Sequence, residues 1–160
     1  MFFFLSSLLA VEASGECFSC VSNPNWRYYQ DRIPGLQNTN TSTALPIAPL
    51  ACTFDPMRIY ADRTAVGCPG YCIKWTSATI LPDGGVEVNV LRGCFDTLFD
   101  KTIHQTPQSA NCYQEPSHYS HQVGVEYKST CYCKGFMCNA SGLSRRMWTL
   151  IAFLLVFPYI

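Results

Sequence analysis

Hydrophobic and polar residues alternate most clearly in two runs in the middle of the chain, 71–81 and 86–95. In the second run valines occupy every other position from Val86, and the residues between them are polar. Such alternation is typical of antiparallel strands with one face in water. The link Pro82-Asp83-Gly84-Gly85 contains Asp-Gly, which supplies the positive φ that a tight turn needs. The pattern therefore predicts a β-hairpin.

Shorter patterns predict the remaining regular elements. Strands are expected at 16–22, at 50–55 and at 123–133, where apolar residues again alternate with polar ones. Apolar residues at helical spacing within 96–108 predict a short helix under the sheet.

Residues 23–49 form a long insertion with little periodicity. Asn40-Thr-Ser is a glycosylation sequon, so we predict an N-glycan on Asn40 in an exposed loop. The first half of the insertion is aromatic and charged, and its Trp26, Tyr28 and Tyr29 are candidate contacts with a partner. Alternatively Trp26 and Tyr28 fold back over the sheet edge as a lid, and the sequence favours neither hypothesis.

The N-terminal segment is apolar and resembles a signal peptide. Residues 1–11 carry no Lys or Arg, and they have the length of a signal-peptide apolar region, which is too short to span a bilayer. Small residues precede Gly15, so we predict a signal peptide over 1–15 that is cleaved near Gly15.

The C-terminal segment is also apolar, because 147–160 contains no charged residue. A helix of that length reaches roughly 21 Å, short of the hydrocarbon core of about 30 Å. Small residues, a short polar spacer and an apolar tail form a glycosylphosphatidylinositol (GPI) attachment signal. We therefore predict that 140–160 is this signal. The predicted attachment residue is Asn139, with three alternatives: Ala140, Ser141 and Gly142.

The ten cysteines lie between the two apolar ends, and three of them close the region as Cys131-x-Cys133-x4-Cys138. Such a cluster has a spacing that suits zinc. The signals predicted at both ends indicate that the chain enters the secretory pathway, which is oxidising. We therefore prefer to interpret the ten cysteines as five disulfides. The formal net charge is zero, which gives no basic excess for nucleic-acid binding.

The cysteine spacing resembles that of a known superfamily. The opening Cys17-x2-Cys20, the closing Cys133-x4-Cys138-Asn139 and the flanking signals are similar to the three-finger domain of the lymphocyte-antigen and urokinase-receptor superfamily. A single residue, Tyr132, between the eighth and ninth cysteines resembles the invertebrate branch that contains the sleepless (quiver) protein.

The resemblance implies an all-β, disulfide-rich, three-finger fold over 16–139, with an enlarged first finger. It also implies that the side chain of Asn139 bonds back to the domain core. The five disulfides that it implies are Cys17–Cys72, Cys20–Cys52, Cys68–Cys94, Cys112–Cys131 and Cys133–Cys138.

By the same resemblance we expect a GPI-anchored protein on the extracellular side of the cell membrane. Its partner would be a membrane protein in the same or an apposed membrane, such as a neuronal potassium channel or a nicotinic acetylcholine receptor, whose activity it tunes. Candidate contacts are Asp83 and Val86 at the hairpin tip, with the aromatic residues of the insertion. The alternative is a structural or trafficking factor in epithelial septate junctions.

No catalytic motif is visible in the sequence. It lacks HExxH, GxSxG and a phosphate-binding glycine loop, and a full set of disulfides leaves no cysteine for catalysis. His118 and His121 are better explained as solvated loop residues than as metal ligands. We therefore expect a binding protein that is not an enzyme and needs no cofactor.

Overall fold

The computed structural model describes residues 15–37, 45–54, 65–100, 102, 104–120 and 124–140. Several predictions concern residues outside these ranges. They are the signal peptide in 1–14, the glycan on Asn40, and the attachment signal in 141–160.

The described residues form short helices and mostly antiparallel strands, which we number in chain order. The strands are β1 (Gly15–Phe18), β2 (Cys20–Val21), β3 (Ala65–Cys68), β4 (Cys72–Ile80), β5 (Val86–Cys94), β6 (Cys112–Gln114), β7 (His118–Ser120) and β8 (Gly124–Cys133). The helices are α1 (Trp26–Gln30), α2 (Pro49–Phe54) and α3 (Phe95–Leu98). With five disulfides this is an all-β, disulfide-rich fold, as expected.

The main sheet has the strand order β2-β5-β4-β8-β6, and β7 also pairs with β8. The predicted hairpin is confirmed, because β4 and β5 pair along their whole length from Cys72↔Cys94 to Ile80↔Val86. β8 pairs with the other edge of β4, from Cys72↔Cys133 to Ile80↔Val125. β1 and β3 form a separate two-stranded sheet.

One prediction about local structure was wrong. The strand expected at 50–55 is the helix α2, and Cys52 N donates to Ala48 O at 2.7 Å. So short an apolar run has no periodicity that separates strand from helix. The short helix expected within 96–108 is observed as the four residues of α3, and the insertion contains the helix α1. Each helix packs against the sheet, which compensates for a length too short for independent stability.

The larger apolar core lies on one face of the main sheet, between the sheet and the helices α1 and α3. Trp75 and Leu91 form its floor, since they lie opposite each other on β4 and β5 and are almost fully buried. Tyr29 packs edge-on against Trp75 with ring centroids 5.8 Å apart. The other buried members are Val21, Ile33, Leu36, Ile73, Phe95, Leu98 and Phe99.

A disulfide cluster closes the end of the sheet at which β4 begins and β5 and β8 end. Cys17, Cys68, Cys72 and Cys94 pack together there, with Cys133 and Cys138 against them. The observed pairs are the five that the resemblance implies: Cys17–Cys72, Cys20–Cys52, Cys68–Cys94, Cys112–Cys131 and Cys133–Cys138. In the chain-entropy model, the bridge with a sequence separation of 55 contributes about 4 kcal/mol to stability, and the one with a separation of 5 about 2 kcal/mol.

The buried amide of Asn139 joins the last turn of the domain to its first strand. Its Oδ1 accepts from Phe18 N at 2.9 Å, and its Nδ2 donates to Phe18 O at 2.9 Å and to Ile73 O at 3.0 Å. Asn139 is only 3% exposed, so these backbone groups have little access to water as a substitute partner.

We expect Asn139→Ala to lower the free energy of unfolding by roughly 3 kcal/mol, because it leaves buried backbone groups of Phe18 and Ile73 unpaired. Urea denaturation under oxidising conditions measures this loss. Ser141→Ala is the matched control, since it removes the sequon Asn139-Ala-Ser and keeps the amide. A loss below about 1 kcal/mol for Asn139→Ala, or an equal loss for Ser141→Ala, would contradict the structural role.

Candidate functional site

The aromatic residues of α1 cover the sheet face that carries Trp75. Tyr29 is fully buried, and its hydroxyl donates to Val90 O at 3.0 Å and accepts from Asn23 N at 2.9 Å. Burial raises the pKa of Tyr29 above its ordinary value, and the hydrogen bond with Ser22 opposes this only in part. The prediction that Tyr29 contacts a partner was therefore wrong, because its side chain is part of the core.

Tyr28 and Trp26 are half-buried on the same face of the sheet. We call the side chains of Trp26, Tyr28 and Tyr29 together the cover. The Tyr28 hydroxyl accepts from Asn89 Nδ2 at 3.1 Å, and the Arg32 guanidinium lies 3.9 Å above the centre of its ring. The indole Nε1 of Trp26 is buried and has no hydrogen-bond partner. These contacts favour the hypothesis that the aromatic residues fold back as a cover, and they place this cover on a sheet face.

Glu126 connects this cover to the sheet. Its Oε1 accepts from Ser77 Oγ at 2.8 Å and from Arg32 Nε at 3.2 Å, and its Oε2 lies 3.5 Å from Lys128 Nζ. Burial raises the pKa of Glu126. The Ser77 hydrogen bond and the positive charges of Lys128 and Arg32 outweigh this, so the pKa is lowered overall.

Asp83 shapes the turn at the end of the β4–β5 hairpin. Its Oδ1 accepts from Gly85 N at 2.9 Å, and Leu81 N donates to Gly85 O at 2.8 Å. Gly84 has a φ of +84°, which glycine adopts without the steric cost that a side chain would bring. Asp83 is exposed but has this structural role, whereas the neighbouring Val86 is 65% exposed and makes the tip apolar.

The face of the sheet opposite Trp75 carries no charged residue over the outer half of β4, β5 and β8. Side chains alternate along a strand, and the register places the two valines Val86 and Val125 beside Ile80 on this face. We call this surface the uncharged face. Its members are Thr76, Ala78, Ile80, Val86, Val88, Val90, Val125, Tyr127 and Ser129.

The outer part of the uncharged face is open to solvent. Ile80 is 42% exposed, and Tyr127, beside Ala78 in the register, is 51% exposed. The face ends at the paired Lys74 and Arg92, where charge first appears. Burial and then the charge of Arg92 lower the pKa of Lys74.

The helix α2 flanks the uncharged face and extends its apolar surface. Ala51 and Cys52 pack against Val90, while Leu50 and Phe54 are more than 70% exposed. Isolated exposed apolar residues are common on protein surfaces. Exposed apolar residues that form one contiguous patch are typical of an interaction site.

Gly124 allows β8 to reach the end of this face. It has a φ of +88°, and a Cβ at this position would lie 1.9 Å from Ile80 O. Only glycine therefore lets β8 pair with β4 as far as Val125. The sequence shows that Val125 and Tyr127 alternate with polar residues, but only the register shows that they lie beside Ile80 and Ala78.

The last described residues surround a buried guanidinium that the sequence analysis missed. Arg92 is 1% exposed, and it donates to Cys52 O at 2.9 Å, to Ala140 O at 2.9 Å and to Asn139 O. Burial lowers the pKa of Arg92 to about 10. Ala140 is half-buried against the cluster that contains Val90. Ser141 and Gly142, the other predicted attachment residues, lie outside the described ranges.

No free cysteine is present, and the two groups of cysteine Sγ atoms close enough to hold a metal ion consist of disulfide-bonded residues. Among the residues that the structure describes, no helix has the length and apolar character needed to cross a membrane. Comparisons of the chain with protein-family models, with curated proteins and with solved structures gave no significant match.

We expect Glu126→Gln to lower the free energy of unfolding near neutral pH by about 1 kcal/mol, because Arg32 and Lys128 lose the negative charge of their partner. A carboxyl with a lowered folded-state pKa contributes this stability above its unfolded pKa, and the contribution is lost as the pH falls. The difference between wild type and variant should therefore shrink as the pH drops below the ordinary glutamate pKa of about 4.3.

Urea denaturation at a series of pH values measures this difference. Glu115→Gln is the control, since Glu115 is exposed. A difference between wild type and Glu126→Gln that stays constant with pH, or an equal effect of Glu115→Gln, would show that the charge of Glu126 does not hold the cover.

Proposed function

We propose that this chain is a three-finger domain of the lymphocyte-antigen and urokinase-receptor superfamily, with an enlarged first finger. The proposal is supported by the disulfide cluster, in which Cys17–Cys72, Cys68–Cys94 and Cys133–Cys138 pack together. The hairpin β4–β5 extends from that cluster, and the segment between β1 and β3 contains the cover and α2. This segment corresponds to the enlarged finger of the proposal.

We further propose that the domain is a GPI-anchored protein of the outer cell surface that binds and modulates a membrane protein. The observation that carries this function is the uncharged face, which combines exposed Ile80, Val86 and Tyr127 on three paired strands. Removing such a surface from water is favourable, by about 25 cal/mol per Å² of apolar area. The strands are already ordered by pairing and disulfides, so little conformational entropy is lost on binding.

The proposed partner is a neuronal potassium channel or a nicotinic acetylcholine receptor, and this choice rests on the sequence resemblance. The last described residue, Ala140, packs on the same side of the sheet as the uncharged face. A lipid tether attached near this residue would keep that side close to proteins of the same membrane. The partner would contact the outer half of the uncharged face and the exposed residues of α2.

Val86 and Glu87 provide a matched test, because they are sequence neighbours, both exposed, on opposite sides of β5. We expect Val86→Lys to weaken partner binding at least tenfold, or about 1.4 kcal/mol, since a charge would be buried in an apolar contact. Glu87→Lys should leave binding within about twofold, because it alters the other face.

Co-expression of each variant with the candidate channel or receptor, with current and surface level recorded, measures this difference. Equal modulation by Val86→Lys and wild type would exclude the uncharged face as the contact. No effect of the wild-type protein on any candidate channel or receptor would contradict the proposed class of partner.

The anchor is tested independently by treating intact expressing cells with phosphatidylinositol-specific phospholipase C. We expect the enzyme to release the protein into the medium, because the lipid would be its covalent attachment to the membrane. Retention at the surface after control GPI-anchored proteins have been released would contradict the anchor. Protein found only in the medium before treatment would also contradict it.

A further inference from the structure

The contacts of Arg92 define where the folded domain ends. Its guanidinium is buried, and the acceptors that the structure gives it are the backbone carbonyls of Cys52, Asn139 and Ala140. A buried cation is stable only when its N–H groups are paired, so these carbonyls belong to the fold. Ala140 N also donates to Met137 O at 3.2 Å, which closes the final turn.

Attachment of a lipid at Asn139 would cut the chain before Ala140. Arg92 would then lose the carbonyl of Ala140, and the cluster around Val90 would lose the Ala140 side chain. The side chain of Asn139 also makes three hydrogen bonds inside the domain. The attachment residue predicted from the sequence therefore conflicts with the contacts that complete the domain.

The sequence rule for attachment provides a second, independent constraint. Small residues are needed at the attachment residue and at the next two positions. Attachment at Ala140 satisfies the rule with Ser141 and Gly142, whereas attachment at Ser141 or Gly142 would include Leu143. Ala140 shortens the polar spacer by one residue relative to Asn139. A spacer shorter by one residue is a small disadvantage. Removing the Ala140 carbonyl, which accepts a hydrogen bond from the buried guanidinium of Arg92, is a larger one.

We infer that Ala140 is the residue that receives the lipid anchor, an inference that rests on the proposed GPI anchoring. The reaction is an exchange of amides. The peptide bond between Ala140 C and Ser141 N breaks, and the Ala140 carbonyl forms a new amide with the ethanolamine nitrogen of the glycolipid. One proton moves from that nitrogen to the departing amine of Ser141. The product keeps the Ala140 carbonyl, so Arg92 keeps every acceptor that the structure shows.

Peptide mass spectrometry of the full-length protein made in animal cells tests this inference. Protein released by the phospholipase is reduced, digested with trypsin and treated with aqueous hydrofluoric acid, which removes the glycan at the phosphate. We expect a C-terminal peptide that starts at Gly135, after the cleavage at Lys134, and ends in Ala140 ethanolamide. A peptide that ends at Asn139, Ser141 or Gly142 would overturn the inference and leave the proposed anchor intact.

A pair of substitutions tests the attachment residue in a second way, through the amount of protein displayed at the cell surface. The window is the attachment residue and the two positions that follow it. Gly142→Tyr places a bulky residue at the second position after Ala140, so we expect at least a tenfold loss of phospholipase-releasable protein. Leu143→Tyr is the matched control, because it lies one position outside the window and should retain near wild-type display.

The two substitutions separate the competing sites. Tolerance of Gly142→Tyr would place attachment at Asn139, and loss with Leu143→Tyr as well would place it after Ala140. Either result overturns the inference. Absence of any ethanolamine-bearing peptide in the wild-type protein, with the sequence continuing into 147–160, would overturn both this inference and the proposed anchor.

Discussion

Three disulfides packed against one another hold the ends of five strands, and the other contacts of the domain depend on that constraint. The bridges Cys17–Cys72, Cys68–Cys94 and Cys133–Cys138 bring together β1, β3, β4, β5 and β8 at one end. Because the strand ends are fixed there, the β4–β5–β8 ladder stays in register. Asn139 follows the last of these cysteines, so its amide is held within reach of Phe18 and Ile73. A small domain with a limited core needs such bridges for stability.

The two faces of the main sheet have different surroundings, because the residues that the structure describes cover only one of them fully. On the Trp75 face the aromatic cover packs on the sheet, and the ion pairs of Glu126 hold its border. On the opposite face, α2 and the final turn pack around Arg92 and Val90 but leave Ile80, Val86 and Tyr127 exposed. The result is an ordered apolar surface without charge, on the same side of the sheet as Ala140, where the proposed membrane tether would start. In the proposed function, binding and anchoring would share one side of the sheet.

Elements that short-range patterns specify could be predicted from the sequence. Elements that depend on pairing with another strand, and side chains whose burial depends on the core, could not. The β4–β5 hairpin follows from alternation and an Asp-Gly turn, and both strands are observed. The strands β6 and β7 lie in a polar stretch without clear alternation, and pairing with β8 defines them. Tyr29 was assigned to the surface because an aromatic residue in a polar insertion gives no sign of which way its side chain faces.

The sequence by itself determined the all-β, disulfide-rich class, the central hairpin and, through its resemblance to a known superfamily, the same five disulfides that the structure shows. These properties depend on residue type and spacing along the chain. Only the tertiary structure decided that Tyr29 is in the core, that Arg92 is buried and that Ile80, Val86 and Tyr127 share one exposed face. The physical reason is that burial and adjacency arise from contacts between residues far apart in sequence. Asn139 and Phe18, 121 positions apart, are the clearest case.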